Sequence, residues 1–461
     1  GSGCSHNPVN SMQAGSRPIW LGLSKGNRGP GIGEGIFKVL PEAMPEGFLI
    51  FKPQNTTAIM KMKLIVLLLG ASITFSCKKD PTEKAPSGYQ GQGPNPIVST
   101  LTKPVQKQWQ GLWAFQDSTV FFIKQFEGAR LNGVAYDGDN HYTLWSTAEN
   151  TPVNTSPSYA FKVWSKDSMD ISLKFTYDGS RSRYYPKISR DGMHFKPLDS
   201  TRFKLINPGE GEFGIKAAPE QIEITMAVDK EPTWITAQEL YTSTAVKHWV
   251  DSLSGKTFIA NYEIGKSREG RSMNLMEING GNSRKALMII SRQHPPEVTG
   301  FLAMKSFIET LAGDSDQARA FRESYTVFNV PLMNPDGVDN GHWRHNGGGI
   351  DLNRDWQEFN QPETRAVRDF LKLKSSEGYQ FVFGADFHST WDDIYYPLDS
   401  TVTGNEGKIV FDWIQSISQR LPQKKTNIST SERLTPTMVS RNHFYSAYAM
   451  PAIVFELGDD T

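Results

Sequence analysis

His294 and Glu297 stand three residues apart in His294-Pro295-Pro296-Glu297, and a second imidazole, His388, lies further along the chain. Two histidines and one glutamate are a ligand set for catalytic zinc, one that leaves a fourth position open for water or substrate. A His and a Glu at this spacing also occur in ordinary solvated turns. The two prolines favour the metal. Pro295 pushes His294 out of helical geometry, and Pro296 suits the start of a helix. His294 is then expected in a strand-end loop and Glu297 in the first helical turn, both able to point at one spot. A metal-binding imidazole leans on an acceptor behind it, so a nearby carboxylate is expected as well.

The flanking patterns supply the elements that would hold these groups. An apolar run, Ala286–Ile290, predicts a strand before His294, and Val298–Leu311 predicts a helix after Glu297. Phe381–Ala385 predicts a strand that delivers His388 at its exit. A third strand, Thr326–Leu332, ends at Asn334-Pro335-Asp336-Gly337. The stretch from Gly341 to Trp356 is rich in glycine and polar residues and reads as loop. It carries Arg344, Asp351, Asn353 and Arg354, a composition that fits either a binding loop or a solvated loop with local ion pairs. Glu456 lies inside the apolar run Pro451–Gly458, where a carboxylate is costly unless it is paired or functional.

Together these motifs resemble the zinc carboxypeptidases over about Trp234 to Thr461. The family order is kept by His294-Pro295-Pro296-Glu297, Trp343-Arg344, Asp351-Leu352-Asn353-Arg354, Asp386-Phe387-His388-Ser389 and Phe455-Glu456-Leu457. Ile264 to Arg271 looks like the hairpin that enters the domain, and the long block from Gly341 to Trp356 is most similar to the cytosolic-carboxypeptidase branch. The resemblance implies one Zn2+ held by His294, Glu297 and His388. It implies Glu456 as general base, Arg344 as the stabiliser of the oxyanion, and Arg354 with Asn353 as the clamp on a terminal carboxylate. Asp351 would accept a hydrogen bond from His294 and fix its tautomer. Arg441 lies in the segment that lines the specificity pocket, where a cation would favour an acidic C-terminal residue. The family often has a closing tyrosine before the catalytic glutamate; Tyr445 and Tyr448 are available but neither is matched. The chain stops five residues after Glu456, whereas the family continues into a further helix, so a C-terminal truncation is expected.

The rest of the chain sets the organisation. Formal net charge is zero over 461 residues, which gives no reason to expect nucleic acid as a partner. Lys61-Met62-Lys63 precedes a thirteen-residue apolar run, Leu64–Ser76, and then Cys77. This reads as an export signal too short to span a membrane comfortably, and Ser76-Cys77 resembles a bacterial lipoprotein site with Cys77 lipidated. The implied location is the cell envelope, in the periplasm or outer membrane, with the membrane met through the lipid. Residues 1–61 are then expected to be upstream sequence outside the natural protein. Removing Cys4 and lipidating Cys77 would leave no thiol for a disulfide. Residues 78–95 read as a flexible tether.

From 96 to 230, short runs of β-formers such as Val120–Ile123, Ala160–Trp164 and Ile171–Tyr177 are separated by Asp-Gly and Asn-Pro turns, which predicts an antiparallel β-sandwich. The Arg183–Gly192 stretch is its most distinctive part. Residues 231–461 are expected to be an α/β domain with a mixed sheet, opening on a helix from Thr236 to Leu253. The expected function is a metallocarboxypeptidase acting on peptides with a free C-terminal carboxylate. Two other readings stay open: a zinc amidase acting on cell-wall peptides or acyl-amino acids, and a non-catalytic surface-anchored binding protein.

Overall fold

The structure is a computed structural model that describes residues 99–459, apart from 117, 152–155, 212–215, 403, 423–425 and 431–437. The upstream segment, the signal run with Cys77 and the tether therefore lie outside the described residues. Among the described residues no helix is long and apolar enough to cross a membrane.

The first part is built on strands β1 (Leu112–Phe115), β2 (Val120–Ile123), β3 (Gly133–Gly138), β4 (His141–Ser146), β5 (Ala160–Ser165) and β6 (Met169–Tyr177). These are followed by β7 (Lys187–Ser189), β8 (Lys196–Pro197), β9 (Phe203–Ile206), β10 (Gln221–Val228) and β11 (Thr233–Thr236). They form two sheets, β1-β2-β5-β11-β7-β8 and β3-β4-β6-β10-β9. Alternating inward residues from both sheets share one core: Phe122, Phe161, Val163 and Ile235 from the first, Leu144, Leu173, Phe175 and Ile224 from the second. That is the sandwich expected from the period-2 pattern.

Two details differ from the expectation. Strands β4 and β6 pair in parallel, so the sandwich is not wholly antiparallel. Its last strand, β11, pairs with β5 and β7 and carries the sandwich to Thr236, past the expected boundary at 230. The expected helix from Thr236 accordingly starts later, as α1 (Ser243–Leu253), capped by Thr242 Oγ1 accepting from Ala245 N.

The second part centres on an eight-stranded mixed sheet. Its strands are β12 (Ile259–Lys266), β13 (Ser272–Ile278), β14 (Lys285–Ser291), β15 (Thr326–Val330), β16 (Gln380–Thr390), β17 (Ile394–Pro397), β18 (Asn427–Ile428) and β19 (Ala452–Gly458). The order is β12-β13-β15-β14-β16-β19-β17-β18, with β15, β14, β16 and β19 mutually parallel. Strand β14 is buried from Ala286 to Ser291, as its unbroken apolar run requires of a central parallel strand. Helices α2 (Val298–Leu311), α3 (Asp316–Ser324), α4 (Pro335–Asp339), α5 (Pro362–Ser376), α6 (Ile409–Arg420) and α7 (Ser440–Tyr448) complete the α/β domain. The C-terminal ends of the parallel strands gather the candidate residues, where sheets of this kind place their sites.

Candidate metal centre and catalytic cleft

His294 lies just past β14, and Glu297 is the residue immediately before α2, making no capping hydrogen bond of its own. Its carboxylate is free to face the imidazoles instead. Glu297 Oε1 is 2.9 Å from His294 Nδ1, Glu297 Oε2 is 2.7 Å from His388 Nδ1, and the two Nδ1 atoms are 3.1 Å apart. All three side chains are buried, and their ligand atoms lie within 4.8 Å of one another. Both Nδ1 atoms and both Glu297 oxygens thus converge on one point, as the ligands of a single metal ion would. The donor set fits one zinc ion.

The far side of each ring is braced. His294 Nε2 is 2.9 Å from Asp351 Oδ1. Burial alone would raise the Asp351 carboxyl, but Arg344 and His294 outweigh it and hold it well below the usual carboxylate range. As an ionised acceptor it fixes the proton on Nε2 and leaves Nδ1 to the metal position. Asp386 Oδ2 lies 3.0 Å from His388 Nε2, at an angle poor for a hydrogen bond, and accepts from Gln293 Nε2 and Ser440 Oγ.

His388 corrects the sequence expectation in one respect: it sits inside β16, not after it. In that strand it is directly opposite Glu456 of β19, so both side chains leave the same face of the sheet. The close approach of α2 to this point requires a glycine. A Cβ on Gly300 would come 2.2 Å from His388 O. Glu456 is half-buried, the one residue of β19 that is not fully buried, and its buried Oε2 has no hydrogen-bond partner among the described residues. Burial first, and then the Glu297 carboxylate, push its pKa up to about 6.

The other polar groups come from the irregular stretch 341–356, which proves to be mostly buried. Arg344 Nε donates to Asp351 Oδ2 at 2.8 Å. Asn353 N donates to Asp351 Oδ1, while Asn353 Oδ1 accepts from Ser440 N at the start of α7. Arg354 is half-buried, with Nη1 donating to Asn353 O at 2.8 Å. Arg441 is buried beside β17, donating from Nη1 to the carbonyls of Tyr396 and Pro397. Burial lowers its pKa to about 10.

Several participants escape the sequence reading. Asp386 stands two residues before His388 on one strand, which puts both on one face; that period-2 relation was a usable signal. Tyr396 pairs with Val454 on β19, so its ring leaves the same face as Glu456. The two tyrosines considered from sequence lie elsewhere. Tyr448 packs on Phe381 and His443, and the Tyr445 ring approaches Gly404. Glu149 of the sandwich had no local signal at all.

Residues 246–453 match the family profile described as zinc carboxypeptidase. Mouse cytosolic carboxypeptidase 6 is 29% identical over 161 residues, which is 32% of this chain and 30% of that protein. An uncharacterized protein of Zymomonas mobilis is 34% identical over 131 residues, covering 28% of this chain and 34% of its own length. The chain thus spans about a third of the length of these relatives. The crystal structure of a metallo-carboxypeptidase from Burkholderia cenocepacia superposes with a TM-score of 0.59 at 18% identity, over 74% of this chain and 90% of that one. A metallo-carboxypeptidase from Pseudomonas aeruginosa gives 0.56 at 18%, over 74% and 91%. These two likenesses establish a shared fold.

Proposed function

Residues 246–453 form a domain of the zinc carboxypeptidase family, and from that premise we propose that the chain is a zinc-dependent metallocarboxypeptidase removing C-terminal amino acids from peptides. The observation that carries this reading is the convergence of the His294–Glu297–His388 triad with the half-buried carboxylate of Glu456, whose Oε2 has no hydrogen-bond partner among the described residues. Zinc, when bound, supplies Lewis-acid polarisation of the scissile carbonyl and lowers the pKa of water.

The chain's own residues do the rest. Glu456 takes the proton of the attacking water and hands it to the leaving amine. A pKa raised to about 6 suits a group that must first accept and then return a proton. Arg344 offers its guanidinium to the carbonyl oxygen as that oxygen gains negative charge, which favours the transition state over the ground state. Its side chain is held for this by Asp351, which also orients His294. Arg354 with Asn353 binds the free carboxylate of the substrate, the planar fork of Arg matching its two oxygens.

Arg441 gives a preference for an acidic last residue. Its place beside β17, close enough to Tyr396 for the phenol to feel its charge, supports a role in the residue pocket. Residues 62–77 serve as a lipoprotein signal and Cys77 as the lipidated residue, which puts the enzyme in the bacterial envelope; the support here is the sequence pattern alone.

The test is metal content and peptide turnover in one preparation. One zinc per chain, with hydrolysis of an N-blocked peptide that stops on chelation and returns with Zn2+, is the expected result. Turnover of cell-wall fragments but not ordinary peptides would replace this reading with an amidase. Stoichiometric zinc with no turnover of either would leave a binding protein.

A further inference from the structure

Arg344 belongs to the catalytic part, yet its main chain is held by the sandwich. Glu149 follows β4 and is 0 % exposed. Its two oxygens accept from three successive backbone N–H groups of the 341–356 stretch. Oε2 accepts from Trp343 N at 2.7 Å, and Oε1 accepts from Arg344 N at 3.0 Å and His345 N at 2.7 Å. The His345 ring adds a contact from Nδ1 to Oε1 at 2.6 Å. Trp343 then leaves the catalytic part altogether. It is wholly buried in the hydrophobic core of the sandwich, and its indole N–H is shared between Ser158 O at 3.0 Å and Ser146 Oγ at 3.2 Å.

The dipeptide Trp343-Arg344 is therefore a hinge between two supports. One side chain is sunk in the sandwich, and the next faces the metal position. Among the described residues Nε, bonded to Asp351, is the only Arg344 side-chain nitrogen in a hydrogen bond, which leaves the Nη groups for a substrate oxygen. With its side chain fixed at one point only, the direction of the guanidinium depends on where the backbone is held. A carboxylate taking three consecutive N–H groups fixes that backbone in one arrangement. Burial would make an ionised Glu149 costly, but the His345 bond and the charges of His342, His345 and Arg130 outweigh it and hold the carboxyl well below its ordinary range.

The approach is tight along the whole stretch. Gly341, at φ +63°, has no room for a Cβ, which would come 2.2 Å from Ala129 O. Further along, Asn150 Nδ2 donates to Gly349 O at 2.9 Å and Lys103 N donates to Gly348 O at 2.8 Å.

We propose that Glu149 is a positioning residue for Arg344, so that the sandwich is a working part of the catalytic centre. The inference rests on the carboxypeptidase reading above. It is tested in the full-length, zinc-loaded chain with a peptide bearing a free carboxylate. Glu149→Gln removes the charge and turns an amide NH2 toward backbone donors. The expected result is a fall in kcat of about 10²-fold, the size of effect that about 1 Å of misplacement produces. KM should stay within about threefold and zinc should stay stoichiometric, because the lost interaction is one made in the transition state. In an Arg344→Ala background the same change should cost nothing further, since the two act as one unit.

Wild-type kcat in Glu149→Gln, or a loss that multiplies with that of Arg344→Ala, would overturn the proposal while leaving the carboxypeptidase reading intact. A wild-type protein that turns over no peptide overturns both. Trp343→Phe keeps the carboxylate and removes the indole N–H together with part of the buried ring. Should Glu149→Gln not fold, the cycle of Trp343→Phe with Arg344→Ala decides by the same criterion: non-additive loss supports the proposal and multiplicative loss overturns it.

Discussion

The centre is assembled from two halves with different supports. His388 and Glu456 ride on β16 and β19, neighbouring parallel strands whose ladder sets their spacing. Arg344, Asp351, Asn353 and Arg354 ride on an irregular stretch with no ladder of its own. Every buried N–H still needs a partner. In the strand half the partner is the next strand. In the loop half several partners are side chains: Glu149 from the sandwich, Asn346 Oδ1 for Gly348 and Ile350, and Asp355 for Asn360 and Gln361. Strand-borne groups are thus fixed by the ladder of the sheet, whereas the loop-borne groups also depend on side-chain acceptors, among them Glu149 from the sandwich. The first half should lose function mainly through the reacting group itself, and the second through its scaffolding as well.

The largest expected effect is in the strand half. Glu456→Gln should cut kcat by about 10²–10⁴-fold with zinc retained, since it removes proton transfer and little else. Steady-state kinetics with a metal assay check it. Arg344→Ala, in the loop half, should cost about 10²–10³-fold in kcat with a smaller change in KM. Arg354→Ala should instead act on binding, raising KM about 10–100-fold for peptides with a free carboxylate, as expected for loss of a charged hydrogen bond of about 1.5–3 kcal/mol.

Gly300→Ala probes the strand half from behind. The added methyl has no room against His388 O, so thermal unfolding should show a loss of about 1–3 kcal/mol, accompanied by weaker zinc retention. An unchanged midpoint would mean that the helix can slide away from the strand.

The last effect is a slope with pH and touches stability alone. Glu363 lies under the loop half, accepting from Asn346 Nδ2 and Arg268 N. Burial first, and also the Asp336 charge, push its pKa from 4.5 to about 7. Its folded pKa is above the unfolded one, so the neutral form favours folding. Its favourable contribution is fully present below about pH 4.5 and is lost as pH rises through about 7, up to about 3 kcal/mol. Melting between pH 5 and 8, flattened in Glu363→Gln, is the check, and an equal slope in both proteins would remove Glu363 as its source.

The same division explains what could be read from sequence. Strand residues announce themselves: Ala286–Ile290 and Phe381–Ala385 are apolar runs, and Glu456 is conspicuous because a lone carboxylate in such a run is expensive. Helix α2 begins and ends where the pattern after Pro296 places it. The loop residues were legible only through their resemblance to a family, because a Gly- and Asn-rich stretch reads as solvated loop. What makes it a buried scaffold is a carboxylate 195 positions away from Arg344. Glu149 has no period, and its own neighbours look like a turn. The sandwich boundary was misplaced for a related reason. Thr233–Thr236 is only four residues long, and its pairing with β5 and β7 is long-range. The parallel β4–β6 pair was equally invisible, since alternation fixes which face is buried and not which direction the neighbour runs.

The central claim is that the two halves meet on a substrate's C-terminal carboxylate and the bond next to it. The most direct measurement is mass spectrometry of the products from one peptide offered with a free and with an amidated C-terminus, to wild type and to Glu456→Gln. Stepwise loss of C-terminal residues from the free peptide alone, absent in Glu456→Gln, is the predicted result. Equal cleavage of both forms, or internal cleavage, would contradict it.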